Sequence, residues 1–153
     1  MPPRFLRTPA VLVGFVSVGC ESRPARIEIR PSGAARFVPF VAHDVLAGYQ
    51  LDVTITIRET QGVDVALSLV SVGASDLGTR QAFLTWTLRG GELQDQGLLT
   101  LSGGRVVSFR PSLGLVSGPP QGPVELTLAV EGTDAHGEVV SDFQVVTVDV
   151  EPP

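Results

Sequence analysis

Three side chains of the kind that bind metals alternate near the end of the chain, at Asp134, His136 and Glu138. On one extended strand they would share a face, and carboxylates together with imidazole are a set that binds divalent metals. Residues 132–137 also fit a hairpin turn, because Asp and Gly favour turn geometry. Zinc sites generally need a third or fourth ligand and no cysteine is available, so we favour the turn and expect no cofactor.

The adjacent pair His43 and Asp44 raises the separate question of a nucleophilic triad with one of the serines. Neighbouring side chains on an extended chain point to opposite faces, so the two residues do not orient each other. The sequence has no Gly-x-Ser-x-Gly elbow, the turn that presents a serine nucleophile. We interpret the pair as a polar loop before a strand that begins at Tyr49, and we expect no enzyme activity.

Aromatic side chains around position 86 could instead bind a glycan, since carbohydrate-binding sandwiches stack sugars on aromatic faces. Alternation places Trp86 on a strand face with three apolar residues, which predicts a core position. Phe83 projects to the other face together with Thr85 and Thr87. Phe83 is therefore the candidate for stacking against a ligand.

The first nineteen residues have the three parts of a secretory signal. Arg4 and Arg7 give the basic start, residues 10–18 the apolar centre, and Gly19 a small residue at the exit. The apolar part is about ten residues long, whereas a helix that spans a bilayer takes roughly twenty. We predict that residues 1–19 form a cleavable signal and not a transmembrane anchor.

Cys20, the only cysteine, follows this signal directly. Ser17-Val18-Gly19-Cys20 resembles the lipobox of bacterial lipoproteins, in which an aliphatic residue, two small residues and a cysteine direct lipidation and cleavage before the cysteine. Ser17 stands where that pattern has the aliphatic residue, which leaves ordinary signal cleavage as the alternative. The resemblance implies a lipid on Cys20, a tether over residues 20–24 and a location in the cell envelope; several acyl chains make such anchoring durable.

Composition limits the partners of the mature chain. Cleavage before Cys20 leaves residues 20–153, enough for one domain with a real core. Nine arginines and sixteen acidic residues remain, which gives a net charge of −7 and argues against a nucleic-acid partner. The absence of lysine excludes a Schiff-base or phosphate-loop lysine, and a lone cysteine excludes an internal disulfide.

The elements that must position these residues are predicted to be strands. Beyond the tether, apolar and polar residues alternate, and no stretch of a dozen residues has the spacing of an amphipathic helix. The clearest strands are 49–60 and 124–131. The others are predicted at 26–30, 36–41, 63–72, 81–88, 97–101, 106–110 and 139–150. In the last of these, Phe143 and Val145 fall on the face opposite to Val146 and Val148, which predicts a bulge near Val145 and Val146.

Two stretches resemble bacterial secreted immunoglobulin-like domains. The run Glu59-Thr-Gln-Gly-Val-Asp-Val65 is similar to a recurrent stretch in which one strand ends and the next begins at once. Residues 126–150, with a turn at 131–138, are similar to the final hairpin of such domains. The resemblance implies a module for display, spacing or binding. The antibody cysteine pair is missing, and fold alone does not decide among these uses.

The sequence therefore predicts an all-β protein, an immunoglobulin-like antiparallel β-sandwich of about 7–9 strands with Greek-key connections over residues 25–151. The expected function is that of a non-catalytic envelope lipoprotein that binds a protein or glycan, adheres or acts as a structural accessory. Two alternatives stay open: an accessory domain of a carbohydrate-processing or metal-dependent hydrolase, and a subunit of a surface assembly joined by strand addition. The expected contacts are the membrane, through the lipid, and an envelope partner.

Overall fold

A computed structural model of the chain describes residues 23–80, 82–111, 115–116, 118 and 122–151. These residues form ten strands and one short helix, which confirms the all-β class. In chain order the elements are β1 (Ile27–Ala42), β2 (Val45–Glu59), β3 (Val65–Asp76), β4 (Ala82–Arg89), α1 (Gly91–Asp95), β5 (Thr100–Leu101), β6 (Val106–Phe109), β7 (Leu115–Val116), β8 (Val124–Asp134), β9 (Val139–Val148) and β10 (Val150–Glu151).

A long antiparallel hairpin of β1 and β2 dominates the N-terminal half. The two strands pair from Ile27 opposite Glu59 to Ala42 opposite Val45. β2 covers residues 49–59 of the strand predicted at 49–60, and its alternating residues are buried as the pattern requires. The strands predicted at 26–30 and 36–41 are a single element, β1, because a register shift between Ser32 and Arg36 lets the strand continue past its irregular part.

The strands form two open sheets. The first sheet has the order β10, β1, β2, β6, with β7 also paired to β2, and the second has the order β4, β3, β8, β9, with β5 also paired to β3. All pairs are antiparallel except that of β10 with β1. The chain therefore leaves the edge of the second sheet at β9 and joins the edge of the first at β10.

One hydrophobic core joins the two sheets, an arrangement consistent with a β-sandwich. The first sheet contributes alternate residues such as Ile55 and Ile57, and the second contributes residues such as Leu126 and Leu128, all four fully buried. The helix α1 adds buried Leu93 at the side of the second sheet. Its five residues are too few to give the periodic pattern by which a helix is predicted from sequence.

The predicted bulge near Val145 and Val146 was wrong. The β8–β9 ladder runs without a shift from Val124 opposite Val148 to Thr133 opposite Val139. Phe143 and Val145 are exposed on the outer face of the second sheet. The prediction failed because it assumed that every large apolar residue of this strand faces the core, which an edge strand does not require.

Candidate functional site

Strands β2 and β8 each end in a carboxylate at a position that faces the core. Glu59 continues the buried series of β2 after Ile57, and Asp134 continues that of β8. Their side chains are buried, with exposed fractions of 0% and 5%. A charge in such a place is tolerated only when it is paired or hydrogen-bonded. Together with the nearby Asp64, these residues define what we call the carboxylate end of the molecule.

The Glu59 carboxylate accepts hydrogen bonds from five backbone N–H groups that belong to three separate segments of the chain. Oε1 accepts from Arg26 at 3.3 Å and from Gln61 at 2.8 Å. Oε2 accepts from Gly62 at 2.7 Å, Val63 at 3.2 Å and Gly104 at 2.7 Å. One side chain thus fastens the start of β1, the β2–β3 loop and the loop before β6.

Burial by itself raises the pKa of Glu59, since desolvation disfavours the charged form. The N–H donors of Gly104, Gln61, Arg26 and Gly62 act in the opposite direction, and together they bring the pKa below the ordinary value. Glu59 is therefore ionised at neutral pH. Its lone pairs are directed at the N–H groups of its own loops, so its role is to hold those loops and not to take a proton from a substrate.

Asp134 closes the β8–β9 hairpin in the same manner. Its Oδ2 accepts from Ala25 N–H at 3.0 Å, and its Oδ1 accepts from the N–H groups of His136 and Glu138, both at 2.9 Å. The Ala25 bond is the largest influence on the pKa of Asp134 and lowers it; burial opposes this, and the Glu138 and His136 N–H groups and the charge of His136 lower it further. The pKa therefore lies below the ordinary value.

The candidate metal ligands Asp134, His136 and Glu138 all lie in or beside this turn. Asp134 N–H donates to the Glu138 carbonyl at 2.9 Å and Gly137 N–H donates to the Asp134 carbonyl at 3.0 Å, so the favoured hairpin turn is present. Within the described ranges, no three His, Cys, Asp or Glu side chains are grouped so as to hold a metal ion. The turn accounts for the spacing of the three residues, and the metal site stays a prediction.

Backbone contact between loops completes the carboxylate end. Asp64 Oδ1 accepts from Gly103 N–H at 2.7 Å, and the Asp64 carbonyl accepts from Ala135 N–H at 3.0 Å. Gly103 lies so near the β2–β3 loop that a Cβ atom at this position would be 2.3 Å from the carbonyl carbon of Gly62. Three loops and the chain entering β1 are thus hydrogen-bonded to one another.

The opposite end of the β1–β2 hairpin has a different chemistry. Over residues 38–47 the only ionisable side chains are those of His43 and Asp44. Five large apolar side chains there are exposed to solvent, with fractions that reach 58% at Val41 and 65% at Val45. The five are Val38, Phe40, Val41, Val45 and Leu46. We call this group the apolar tip.

His43 and Asp44 form the two-residue turn of the apolar tip. Both have positive φ, 51° and 64°, as a type I′ hairpin turn requires, although neither is a glycine. The turn joins Ala42 to Val45, which are paired with each other. The polar segment predicted before Tyr49 is therefore the reversal of a hairpin.

Trp86 lies between the two sheets, as alternation predicts. It is half-buried against the core, and its ring stacks on Phe109 of the first sheet with centroids 5.3 Å apart and planes 22° apart. The backbone of Phe83 lies in β4, but its side chain is outside the described residues. The ligand-stacking role of Phe83 stays a prediction.

The predicted signal 1–19 and the lipid-attachment residue Cys20 also lie outside the described residues. Within the part of the chain that the structure describes, no helix has the length and apolar character needed to cross a membrane.

Sequence reasoning treated Glu59 only as part of a family resemblance and did not identify the apolar tip. A signal for Glu59 exists, because the period-two pattern of β2 places it on the same face as Leu51 and Ile57. Asp134 carries the same signal in β8. The sequence signal for the apolar tip is weaker, because an apolar run on both sides of His43 and Asp44 has the same pattern whether it is buried or exposed.

Comparison with solved structures finds a crystal structure of a protein named ApaA from Bordetella pertussis. It aligns with a TM-score of 0.54 and 12% sequence identity, over 84% of this chain and 96% of the other. An X-ray structure of a structural genomics target aligns with a TM-score of 0.48 and 11% identity, over 82% of this chain and 86% of the other. No protein-family model and no curated protein matches the chain. At this identity the likeness to the Bordetella protein concerns the fold alone.

Proposed function

We propose that this protein is a non-catalytic binding module of the bacterial cell envelope, anchored by lipid on Cys20 after removal of residues 1–19. In this proposal the domain is an immunoglobulin-like sandwich that contacts a protein partner through its apolar tip. The observation that carries the proposal is the exposure of five large apolar side chains at one end of the β1–β2 hairpin.

The strand order supports the immunoglobulin-like assignment. β2 pairs with β6 in the first sheet, while β3, β8 and β9 are neighbours in the second. Strands B and E lie in one sheet of an immunoglobulin-like sandwich, and strands C, F and G lie in the other. If β1 is strand A, then β2, β3, β6, β8 and β9 take the places of strands B, C, E, F and G in chain order.

The apolar tip has the properties of a contact surface. Single exposed apolar residues are normal, but five large ones within the nine residues 38–46 support an interaction site. Burying one such side chain against a partner contributes about 1.5–3 kcal/mol. Aliphatic side chains predominate, and these suit an apolar groove of a protein better than the polar surface of a glycan.

The position of the apolar tip also favours a partner away from the anchoring membrane. β2 is 15 residues long, which corresponds to about 50 Å at roughly 3.3 Å per residue. The tether enters at the carboxylate end, where Ala25 and Arg26 are hydrogen-bonded, and the apolar tip lies at the other end of the hairpin. A tether of residues 20–24 spans at most about 18 Å and cannot bring its lipid to the apolar tip.

Site-specific crosslinking in intact envelopes tests the proposal. A photoreactive side chain at position 45 should give a discrete protein adduct, and the same group at exposed position 58, on the outer face of the first sheet, should not. The double change Val41→Thr and Leu46→Gln should abolish the adduct without lowering the amount of folded protein. Equal adducts from both positions, or none from position 45, would contradict binding through the apolar tip.

Lipid anchoring has its own test, so that the two parts of the proposal can fail separately. Metabolic labelling with a fatty acid should mark the wild-type protein and leave the Cys20→Ser variant unlabelled and free of the membrane fraction. A variant that keeps both the label and the membrane fraction excludes Cys20 as the attachment site.

Strand addition is the second candidate function, and the position of β9 at the edge of the second sheet favours it. Two features beside this edge disfavour a new strand. Asp142 Oδ2 accepts from Ile29 N–H at 2.9 Å, and Pro31, two residues further along β1, has no N–H to offer. A photoreactive group at exposed Ser141 distinguishes the two functions, because adducts from position 141 in place of position 45 would favour strand addition.

A further inference from the structure

The outer face of the first sheet carries a group of arginines at the end where the chain enters β1. Arg26 and Arg30 flank Glu28 along the chain, with Arg26 Nε 3.7 Å from Glu28 Oε1 and Arg30 Nη2 3.4 Å from Glu28 Oε2. Arg58 lies opposite Glu28 on β2. We call Arg26, Arg30 and Arg58 the arginine cluster. Three cations around one carboxylate leave two positive charges in excess.

The cations of this cluster face solvent, whereas the acid between them is largely covered. The side chains of Arg26 and Arg30 are 70% and 66% exposed, and that of Glu28 is 26% exposed. Arg58 is exposed as well, and exposed Arg105, directly before β6, adds a further cation at this end. Because ion pairs at such exposed positions contribute little to stability, the guanidinium groups are available to an anionic partner.

The rest of this face is neutral. Arg36 and Arg110 both pair with Asp52, at 3.3 Å and 3.7 Å, and the register of β1 with β10 places Glu151 beside Arg36. Two arginines and two acids cancel there. The mature chain has a net charge of −7, so a local excess of positive charge runs against its composition. Such an excess attracts anions to this end of the face.

The second sheet has the opposite charge at the same end of the molecule. Exposed Asp64 lies in the loop before β3, and exposed Glu138 lies in the turn before β9. An anionic surface that approaches the carboxylate end therefore attracts the side of the first sheet and repels the side of the second.

The tether determines which anionic surface lies within reach. Residues 20–24 lead directly to the arginine cluster and span at most about 18 Å, so a lipid on Cys20 holds the cluster near the headgroups of its own bilayer. Glu21 and Arg23 of the tether cancel each other in charge. A bilayer that contains anionic lipids has a negative surface potential, which attracts arginines within a Debye length of about 8–10 Å.

We propose that the arginine cluster docks on the anionic headgroups of the membrane that holds the chain, a contact that depends on the proposed lipid anchor. A lipid alone leaves the domain free to rotate, and a basic patch beside it supplies a second attachment. The side of the first sheet at the carboxylate end then faces the bilayer. The apolar tip, at the other end of the β1–β2 hairpin, stays free for its own partner.

Fluorescence quenching by spin-labelled headgroups tests this orientation. The mature protein, purified from envelopes, is placed in nanodiscs with a fluorophore on Ser108→Cys or Thr133→Cys. Ser108 is exposed on the first sheet in the row of Arg30, and Thr133 is exposed on the second sheet. In discs of equal phosphatidylglycerol and phosphatidylcholine, position 108 should be quenched more than position 133. A domain that only swings on its tether should not show this order, because position 133 is adjacent to Asp134, which binds the entering chain.

Two matched pairs of substitutions separate docking from a general loss of positive charge. Arg30→Gln with Arg58→Gln should lower the ratio of docked to undocked molecules by more than about ten-fold and abolish the difference between the two positions. Arg36→Gln with Arg110→Gln removes the same charge from the same face and should leave the difference unchanged. Discs of phosphatidylcholine alone, or about 0.5 M salt, where the Debye length is about 4 Å, should abolish it.

Three results overturn the proposal: equal quenching at the two positions in anionic discs, stronger quenching at position 133, or a difference that persists in phosphatidylcholine alone. A chain that does not remain with the discs contradicts the lipid anchor itself, and docking fails with it. A chain that remains but shows no difference contradicts docking alone, and leaves both the anchor and binding through the apolar tip intact.

Discussion

The two ends of the β1–β2 hairpin are formed by the same two strands but differ in which side chains they bury and which they expose. At the carboxylate end, Glu59 is fully buried and binds the N–H groups of three chain segments. At the apolar tip, Val41 and Val45 are turned to solvent, beside a turn of two non-glycine residues with positive φ. Polar atoms are enclosed at one end and apolar atoms are exposed at the other, which reverses the usual distribution at both ends.

This difference indicates where stability and recognition reside. The buried carboxylates make many internal bonds and are therefore expected to govern folding. The exposed apolar side chains make few internal contacts, so their removal should cost the fold little, and the partner contact that we propose would account for their exposure. The following predictions test this division from its strongest consequence to its weakest.

The largest effect is expected from Glu59→Gln. The amide keeps the size of the side chain but loses the charge, and its NH₂ group meets backbone donors that can accept nothing from it. We expect a loss of about 3 kcal/mol in the free energy of unfolding, since hydrogen bonds to charged groups contribute about 1.5–3 kcal/mol. Chemical denaturation measures it, with Glu131→Gln at an exposed position as the control. A loss no larger than that of the control would show that the charge of Glu59 does not stabilise the fold.

Acid should produce the next effect. The pKa values of Glu59 and Asp134 are depressed in the folded state below the ordinary 4.5 and 3.8, so the unfolded chain takes up protons first as the pH falls. The stability that these groups contribute is fully present above the ordinary values and is lost as the pH falls through the folded-state values. The melting temperature should therefore stay level from neutral pH to about 5.5 and drop below about 4.5. The melting temperature of the Glu59→Gln variant should drop less over the same pH range. Parallel curves for the variant and the wild type would show that other groups cause the acid sensitivity.

Gly103→Ala should have a smaller but distinct effect. The added Cβ meets the carbonyl carbon of Gly62 at 2.3 Å, so two loops must separate. Overpacking of this kind costs about 1–3 kcal/mol. Gly91→Ala is the control, because Gly91 has open space around it and begins a helix, where alanine is preferred. A melting temperature unchanged by Gly103→Ala would show that the loop contact is not rigid.

The smallest effect is expected at the apolar tip. Val45→Thr preserves shape and strand propensity at an exposed position, and we expect a change in unfolding free energy of less than about 0.5 kcal/mol. The same substitution at buried Val53 should cost about 1–3 kcal/mol, because it encloses a hydroxyl group without a partner. If the two variants were destabilised equally, the apolar tip would be part of the folding core and not a free contact surface.

The sequence predicts the regular parts of this fold and misses the exceptions. β2 and β8 were recognisable because their inward residues alternate without interruption from Leu51 to Ile57 and from Val124 to Val130. Phe143 was misplaced because alternation reports which residues share a face but not which face is inside. Burial is decided by the neighbouring strands, and the position of β9 at a sheet edge is a property of the whole topology.

The candidate site was likewise predictable from the sequence only in part. Glu59 and Asp134 could have been singled out as charges on inward faces, but their hydrogen-bond donors come from residues as distant as Gly104 and Ala25. No local pattern specifies such contacts. The apolar tip depends on the length by which one hairpin extends, and this length is set by where the pairing of β1 with β2 ends.

The hydrogen bonds of Ala25 and Arg26 have a mechanical consequence. Ala25 is bonded to Asp134 of the second sheet and Arg26 to Glu59 of the first, so a pull on the preceding chain is shared between both sheets at its point of entry. Beyond that point β1 is paired with β2 from Ile27 to Ala42 apart from the irregular part between Ser32 and Arg36, and tension along the strand loads many of the ladder bonds together in shear. A pull on the chain that precedes Ala25 would therefore have to break these hydrogen bonds and the ladder before β1 could leave the first sheet.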